Sequence, residues 1–197
     1  MSAVSEAIVR EFFEAHGFFV RQQRKHVSPS RREEDAVDFY VCNPRATDDG
    51  APPFVLGTAD LARVARAVVV VKGWHTETFS PAVMAHAPGM FKFLSPAMFK
   101  RAAEGFGCRE RFLKLLVVPA LPQSGEARTK SIEWLRAKGI DGVLPFRSML
   151  AFLIAHTAAN RNYVKSDLLQ VLRILKSYGL LVEGDQQMDL FGKRRGR

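Results

Sequence analysis

The stretch AVVVVKGW, residues 67–74, carries the strongest strand signal in the chain. Its four consecutive valines predict a β-strand, because side chains branched at Cβ suit a pleated and packed surface. An unbroken apolar run, in place of an alternating one, predicts a strand that is covered on both faces. Lys72 closes the run, so its ammonium group either reaches solvent along the apolar stem or belongs to a site at the end of the strand.

The composition is that of a basic protein with enough apolar residues for a core. The chain has 197 residues, a net charge of +9 and a pI of about 9.9. This charge favours an anionic partner, with nucleic acid first and an anionic membrane surface second. Cys42 and Cys108 are far apart in the sequence, which predicts reduced thiols and neither a disulfide nor a zinc site.

The N-terminal residues and the apolar runs of the sequence bear on where the protein resides. The N-terminal residues lack the basic and apolar regions of a signal peptide. No apolar run approaches the roughly 20 residues that cross a bilayer. We therefore expect a cytoplasmic protein without a membrane partner, associated with the nucleoid if its partner is DNA. The sequence assigns no oligomeric state.

Strands and helices are predicted on both sides of the valine run. Residues 2–16 predict an amphipathic helix that stops at Gly17, and Ser80 and Ser95, each followed by proline, predict two further helix starts. Strands are predicted at 18–26, 36–42, 54–56, 111–120 and 140–146, and helices at 96–106, 130–138, 147–160 and 167–178, with 123–129 as a loop. This order predicts an α/β fold with a mixed central sheet flanked by helices. The final strand–helix–strand unit predicts a parallel crossover.

Acidic residues on the first helix and the second strand are candidates for a site. Asp38 lies within the predicted strand 36–42, where an aspartate is disfavoured unless it faces water, a partner or a metal. On the first helix, Glu11 and Glu14 point away from the apolar face, whereas Glu6 lies at its margin. Glu6 is therefore the first choice for a helix residue that reaches an interior site, although a solvated position is the commoner outcome for any one of them.

The order of helix, strand, strand with Asp38 and strand ending in Lys72 resembles the core of the PD-(D/E)xK nuclease superfamily, the restriction-endonuclease-like fold. The matching pieces are 17–20, 37–40 and 68–73. In that family an aspartate on the second strand and an acidic residue two positions before a lysine bind Mg²⁺ or Mn²⁺. The metal activates water, and the lysine stabilises the developing charge. The resemblance implies that Asp38 is a metal ligand and that Lys72 is the motif lysine.

The acidic position two residues before Lys72 is occupied by Val70, which cannot bind a metal. Either a carboxylate from elsewhere replaces it or the site is inactive. Glu6 and Glu77, which lies just beyond the strand, are the candidates for the displaced carboxylate. An active site would make the chain a metal-dependent DNA phosphodiesterase, and an inactive one would leave a module that binds DNA or a partner.

Basic residues cluster along the first predicted strand and in the segment that follows it. Arg21, Arg24, Lys25, Arg31 and Arg32 lie within twelve residues of one another. Such a cluster can cradle DNA phosphates, and it is equally typical of a solvated loop.

The end of the chain carries a second motif. The residues Gln187, Met188, Asp189, Leu190 and Phe191 resemble the bacterial sliding-clamp-binding motif, with the unbranched Met188 as a departure from its aliphatic second position. In a tail that we expect to be disordered, Leu190 and Phe191 would be apolar anchors for a pocket on the clamp. The basic residues that follow, Lys193, Arg194 and Arg195, would contact DNA or simply keep the terminus soluble.

Together these patterns predict three segments. They are a nuclease-like α/β core at 1–146, a C-terminal helical pair at 147–182, and a disordered basic tail at 183–197 that carries the clamp motif. The helical pair either packs on the core or forms a helix-turn-helix that reads DNA. The predicted function is a DNA-processing protein of replication, repair or recombination whose partners are DNA and the sliding clamp.

Overall fold

The computed structural model describes residues 3–22, 37–47, 50–73, 75, 78–86, 88–106 and 111–181. It has an α/β fold in which a five-stranded mixed sheet is flanked by helices, as the sequence predicts. The strands are β1 (Phe19–Gln22), β2 (Phe39–Cys42), β3 (Arg66–Val71), β4 (Leu113–Val118) and β5 (Gly142–Pro145). The helices are α1 (Ala3–Ala15), α2 (Pro81–Ala85), α3 (Pro96–Phe106), α4 (Gly125–Ala137), α5 (Phe146–His156) and α6 (Asp167–Ser177), with short 3-10 helices at Ala59–Arg63 and Pro88–Leu94.

The valine run forms β3, the middle strand of the sheet. The spatial order β1-β2-β3-β4-β5 follows the sequence. The pairs β1–β2 and β2–β3 are antiparallel, whereas β3–β4 and β4–β5 are parallel, so the predicted parallel arrangement of the last two strands is confirmed. Val69 pairs with Phe39 on one side and with Leu115 on the other. β3 therefore joins an antiparallel half of the sheet to a parallel half.

Both faces of β3 are buried, which confirms the interpretation of its unbroken apolar run. Val68 and Val70 belong to one apolar cluster, whose other members include Phe79, Met84, Phe93, Met98, Leu116 and Val143. Ala67, Val69 and Val71 are also buried but lie outside that cluster, as the two-residue period of a strand requires. Helix α1, which buries Val9, Phe12 and Phe13, contacts β1 and β3.

Several boundaries differ from the prediction. Asp38 precedes β2, although its backbone N–H still donates to the carbonyl of Val69 at 3.0 Å. The stretch 54–56 makes only a single parallel bridge, between Val55 and Val143. The predicted loop 123–129 is wrong, because α4 already begins at Gly125. The hydroxyl of Ser124 accepts a hydrogen bond from the N–H of Ala127 at 3.2 Å and so caps this earlier start.

The chain divides into two compact units, Met1–Met149 and Leu150–Arg197. In the second unit α6 buries Leu169 and Leu172, whereas Val171 is 53% exposed. Val171 lies about 100° around the helix from Leu172, so it falls outside a stripe that the two leucines define. Among the described helices none has the length and apolarity needed to span a bilayer.

Candidate functional site

The side chain of Asp38, which lies just before β2, bonds to the end of the neighbouring strand β3. Its side chain is buried, with the residue 6% exposed. The Oδ2 atom accepts a hydrogen bond from the backbone N–H of Val71 at 2.7 Å. This N–H would otherwise be an unpaired donor in a buried strand, because β2 pairs with β3 only as far as Val69. The carboxylate therefore extends the ladder between the two strands by one bond.

Lys72 follows directly, so Asp38 and Lys72 lie at the same end of the sheet, as the resemblance implies. Lys72 is half-buried, and its backbone N–H donates to the carbonyl of Val117 at 2.9 Å. The next residue, Gly73, lies against α1. A Cβ atom added at Gly73 would lie 2.8 Å from the Oγ of Ser5, so a side chain at this position would have to displace that hydroxyl.

The serine and histidine at this end of the sheet are residues that the sequence did not single out. The Oγ of Ser5 and the Nε2 of His75 are 3.2 Å apart, and the ring of His75 meets the edge of Phe146 with centroids 4.7 Å apart. A hydroxyl hydrogen-bonded to an imidazole is the arrangement that activates a serine nucleophile. Ser5, however, is buried in the first turn of α1 and out of reach of a substrate. The pair instead ties α1 to the segment that follows β3.

Glu6 is placed at the same end of the sheet but is engaged elsewhere. Its Oε2 accepts a hydrogen bond from the Nε2 of Gln22 at 2.7 Å. Gln22 is the last residue of β1 and pairs with Phe39, the residue after Asp38. Glu6 therefore links α1 to the edge strand. The prediction that Glu11 is exposed is wrong, because Glu11 is buried and its Oε1 lies 3.6 Å from the Nη2 of Arg10.

The described residues at this site do not by themselves fit a divalent cation. Mg²⁺ requires several oxygen ligands in near-octahedral geometry. Val70, at the expected acidic position, is 1% exposed within the apolar cluster. Asp38 already uses Oδ2 for a backbone bond. Across the described ranges no three His, Cys, Asp or Glu side chains are grouped to hold a metal ion, and Glu77 lies outside those ranges.

Most of the predicted DNA and clamp contacts lie outside the described residues. Arg21 is the exception: it is exposed on β1 and pairs across the ladder with Tyr40. The residues outside are Arg24, Lys25, Arg31, Arg32, Gln187, Met188, Asp189, Leu190, Phe191, Lys193, Arg194 and Arg195. Their roles in binding DNA and the clamp stay predictions from the sequence.

Comparisons of the chain with protein-family models, with curated proteins and with solved structures found no match. The functional assignment therefore rests on the residues of this chain and on the geometry of the sheet.

Proposed function

We propose that this chain is a DNA-binding module with a restriction-endonuclease-like core, which the sliding clamp recruits during replication, repair or recombination and which holds DNA without cleaving it. One observation carries the choice of binding over cleavage. The position two residues before Lys72, where the resemblance requires an acidic metal ligand, is a valine that is 1% exposed.

The topology of the sheet supports the fold part of the proposal. A helix is followed by three antiparallel strands, and the third of these then pairs in parallel with the next strand. This is the order that the nuclease resemblance requires, and it brings Asp38 and Lys72 to one end of the sheet. Topology alone does not imply an activity, because one fold hosts many functions. The choice of activity therefore depends on the residues at that end.

The charge of the chain supports DNA as the partner. A net charge of +9 on 197 residues produces a field that attracts phosphates without reading sequence. Arg21 on the edge strand is exposed, and the sequence continues directly into the basic cluster of residues 24–32. We infer that this side of the first unit contacts the DNA backbone.

The tail supports recruitment by the clamp. Gln187 to Phe191 place a glutamine and two adjacent apolar anchors in an otherwise polar stretch, which is the chemistry of a short peptide that docks in a pocket. Binding to the clamp would raise the effective concentration of the chain at the DNA, because DNA binding then becomes an intramolecular step. Weak and unspecific DNA contacts would therefore be sufficient.

Two rival functions from the sequence differ in their support. A metal-dependent phosphodiesterase would need a displaced glutamate, Glu6 or Glu77, as a second ligand. Glu6 does lie at the correct end of the sheet, although its carboxylate accepts a hydrogen bond from Gln22. The helix-turn-helix reading is not favoured. Residues 157–166 separate α5 from α6, whereas that motif uses a turn of about three or four residues.

A cleavage assay separates the binding module from the phosphodiesterase. The full chain is incubated with labelled single-stranded, duplex and branched DNA in Mg²⁺ or Mn²⁺. We expect no divalent-dependent products, because the described donors do not form a metal site. Cleavage that disappears in Asp38→Asn and in Lys72→Ala, but persists in the control Asp141→Asn, would establish the phosphodiesterase instead.

A further inference from the structure

An exposed aromatic ring lies on the edge strand β1. Phe19 is 70% exposed, whereas Phe12, Phe13 and Phe39 around it in the same half of the fold are fully buried. Phe19 and Arg21 point to one face of β1, because side chains alternate along a strand. The opposite face carries Gln22, whose side chain bonds to α1. The ring therefore lies on the face that α1 does not cover.

The neighbours of Phe19 across the sheet are known from the strand register. Phe19 pairs with Cys42, and Cys42 pairs in turn with Arg66. Directly paired residues of antiparallel strands project to the same face. Phe19, Cys42 and Arg66 therefore form a row of side chains, with Arg66 about 10 Å from Phe19, since neighbouring strands are about 4.8 Å apart. Arg21 lies about 7 Å further along β1 on the same face.

Within this row the side chain on the edge strand is the most exposed. α3 covers the next row, where the ring of Phe106 meets Tyr40 edge-on with centroids 5.6 Å apart. Cys42 and Arg66 are partly buried, whereas Phe19 is exposed. The result is an exposed aromatic ring beside an exposed arginine on one face of the edge strand, which we call the Phe19 platform (Phe19 and Arg21).

We propose that the Phe19 platform binds single-stranded DNA by stacking one base on Phe19 while Arg21 contacts a flanking phosphate. This inference rests on the proposed DNA-binding function and names the form of DNA that this surface prefers. The faces of duplex bases are occupied by their stacked neighbours, so a ring on a sheet surface has no access to them. A single strand exposes them. Positive charge beside the ring fits a polyanion better than an apolar protein partner.

Fluorescence anisotropy of labelled oligothymidylate and of a labelled hairpin duplex tests the proposal with the full chain. Phe19→Ala should weaken binding to oligothymidylate about 5- to 150-fold, the range of one lost base stack, and change duplex binding less than about twofold. Phe19→Trp should restore single-strand binding. Arg21→Gln should lower the slope of log K against log salt by about one.

A matched control and four results decide the outcome. The control Tyr178→Ala removes a similarly exposed aromatic ring, just after the end of α6. Oligothymidylate binding should be unchanged in this variant, and that result would support the platform. Single-strand binding that is unaltered in Phe19→Ala would overturn the inference and leave the DNA-binding function standing. Equal weakening for single strand and duplex, or a change in oligomeric state alone, would also overturn it. Failure of the unmodified chain to bind any DNA would overturn both the inference and the proposed function.

Discussion

Replacing Asp38 with alanine is expected to lower the free energy of unfolding by about 1–3 kcal/mol. The loss follows from the geometry at the end of β3. Val71 is 2% exposed, and its N–H has the Oδ2 of Asp38 as acceptor at 2.7 Å. Alanine leaves this donor buried and unpaired, which costs more than the net value of an ordinary hydrogen bond. Urea denaturation, followed by circular dichroism, measures the change.

Two further variants show whether the acceptor is what matters at Asp38. Asp38→Asn keeps a carbonyl oxygen that can accept the N–H of Val71, so we expect a smaller loss than for alanine. Asp141→Ala is the comparison, because the Asp141 carboxylate also accepts a backbone N–H, that of Lys114 at 2.8 Å, but is 25% exposed and pairs with the Nζ of Lys114 at 3.2 Å. Because water can replace that acceptor, we expect a smaller loss in the free energy of unfolding than for Asp38→Ala. A free energy of unfolding that is the same in Asp38→Ala as in the unmodified chain would contradict a structural role for the carboxylate.

Removing both apolar anchors of the tail, with Leu190→Ala and Phe191→Ala, is expected to weaken binding of the full chain to a bacterial sliding clamp by about 700-fold. Residues that fill the central pocket of an interface contribute about 2 kcal/mol or more each when truncated, and each 1.4 kcal/mol is tenfold in affinity. Surface plasmon resonance with the clamp immobilised measures the affinity of each variant for the clamp.

Substitutions next to the anchors provide the controls for the clamp measurement. Met188→Leu brings the second position to an aliphatic residue, as in the motif, and should keep or tighten the binding. Arg195→Gln removes a charge outside the motif and should have little effect on the affinity for the clamp. An affinity that survives the loss of both Leu190 and Phe191 would mean that the resemblance of the tail to a clamp motif is coincidental.

The sheet could be predicted because its signals are local. Four valines in a row identify a doubly covered strand from side-chain shape alone, and β3 is buried from Ala67 to Val71. The serines that precede Pro81 and Pro96 accept hydrogen bonds from the N–H groups of Val83 and Met98, as helix caps do. Such features depend on residues within about four positions of one another, so no long-range contact is needed to foresee them.

The role of the site residues could not be predicted, because it depends on contacts distant in sequence. Asp38 was a candidate metal ligand, yet its carboxylate lies against an N–H that is 33 residues away. Ser5 and His75, separated by 70 residues, gave no signal in the sequence at all. The pattern of α1 placed Glu11 in solvent, whereas the fold buries it beside Arg10. Helical periodicity describes one helix and not the surface that packs against it.

A salt titration of DNA binding tests the central claim most directly. The full chain is titrated onto labelled DNA at increasing salt in the presence of Mg²⁺, with the affinity read from anisotropy and the DNA checked for cleavage afterwards. We predict that log K falls linearly with log salt, with a slope of about −0.9 for each duplex phosphate contacted, and that the DNA stays intact. No binding, or an affinity insensitive to salt, would contradict the claim that this basic chain is a DNA-binding module.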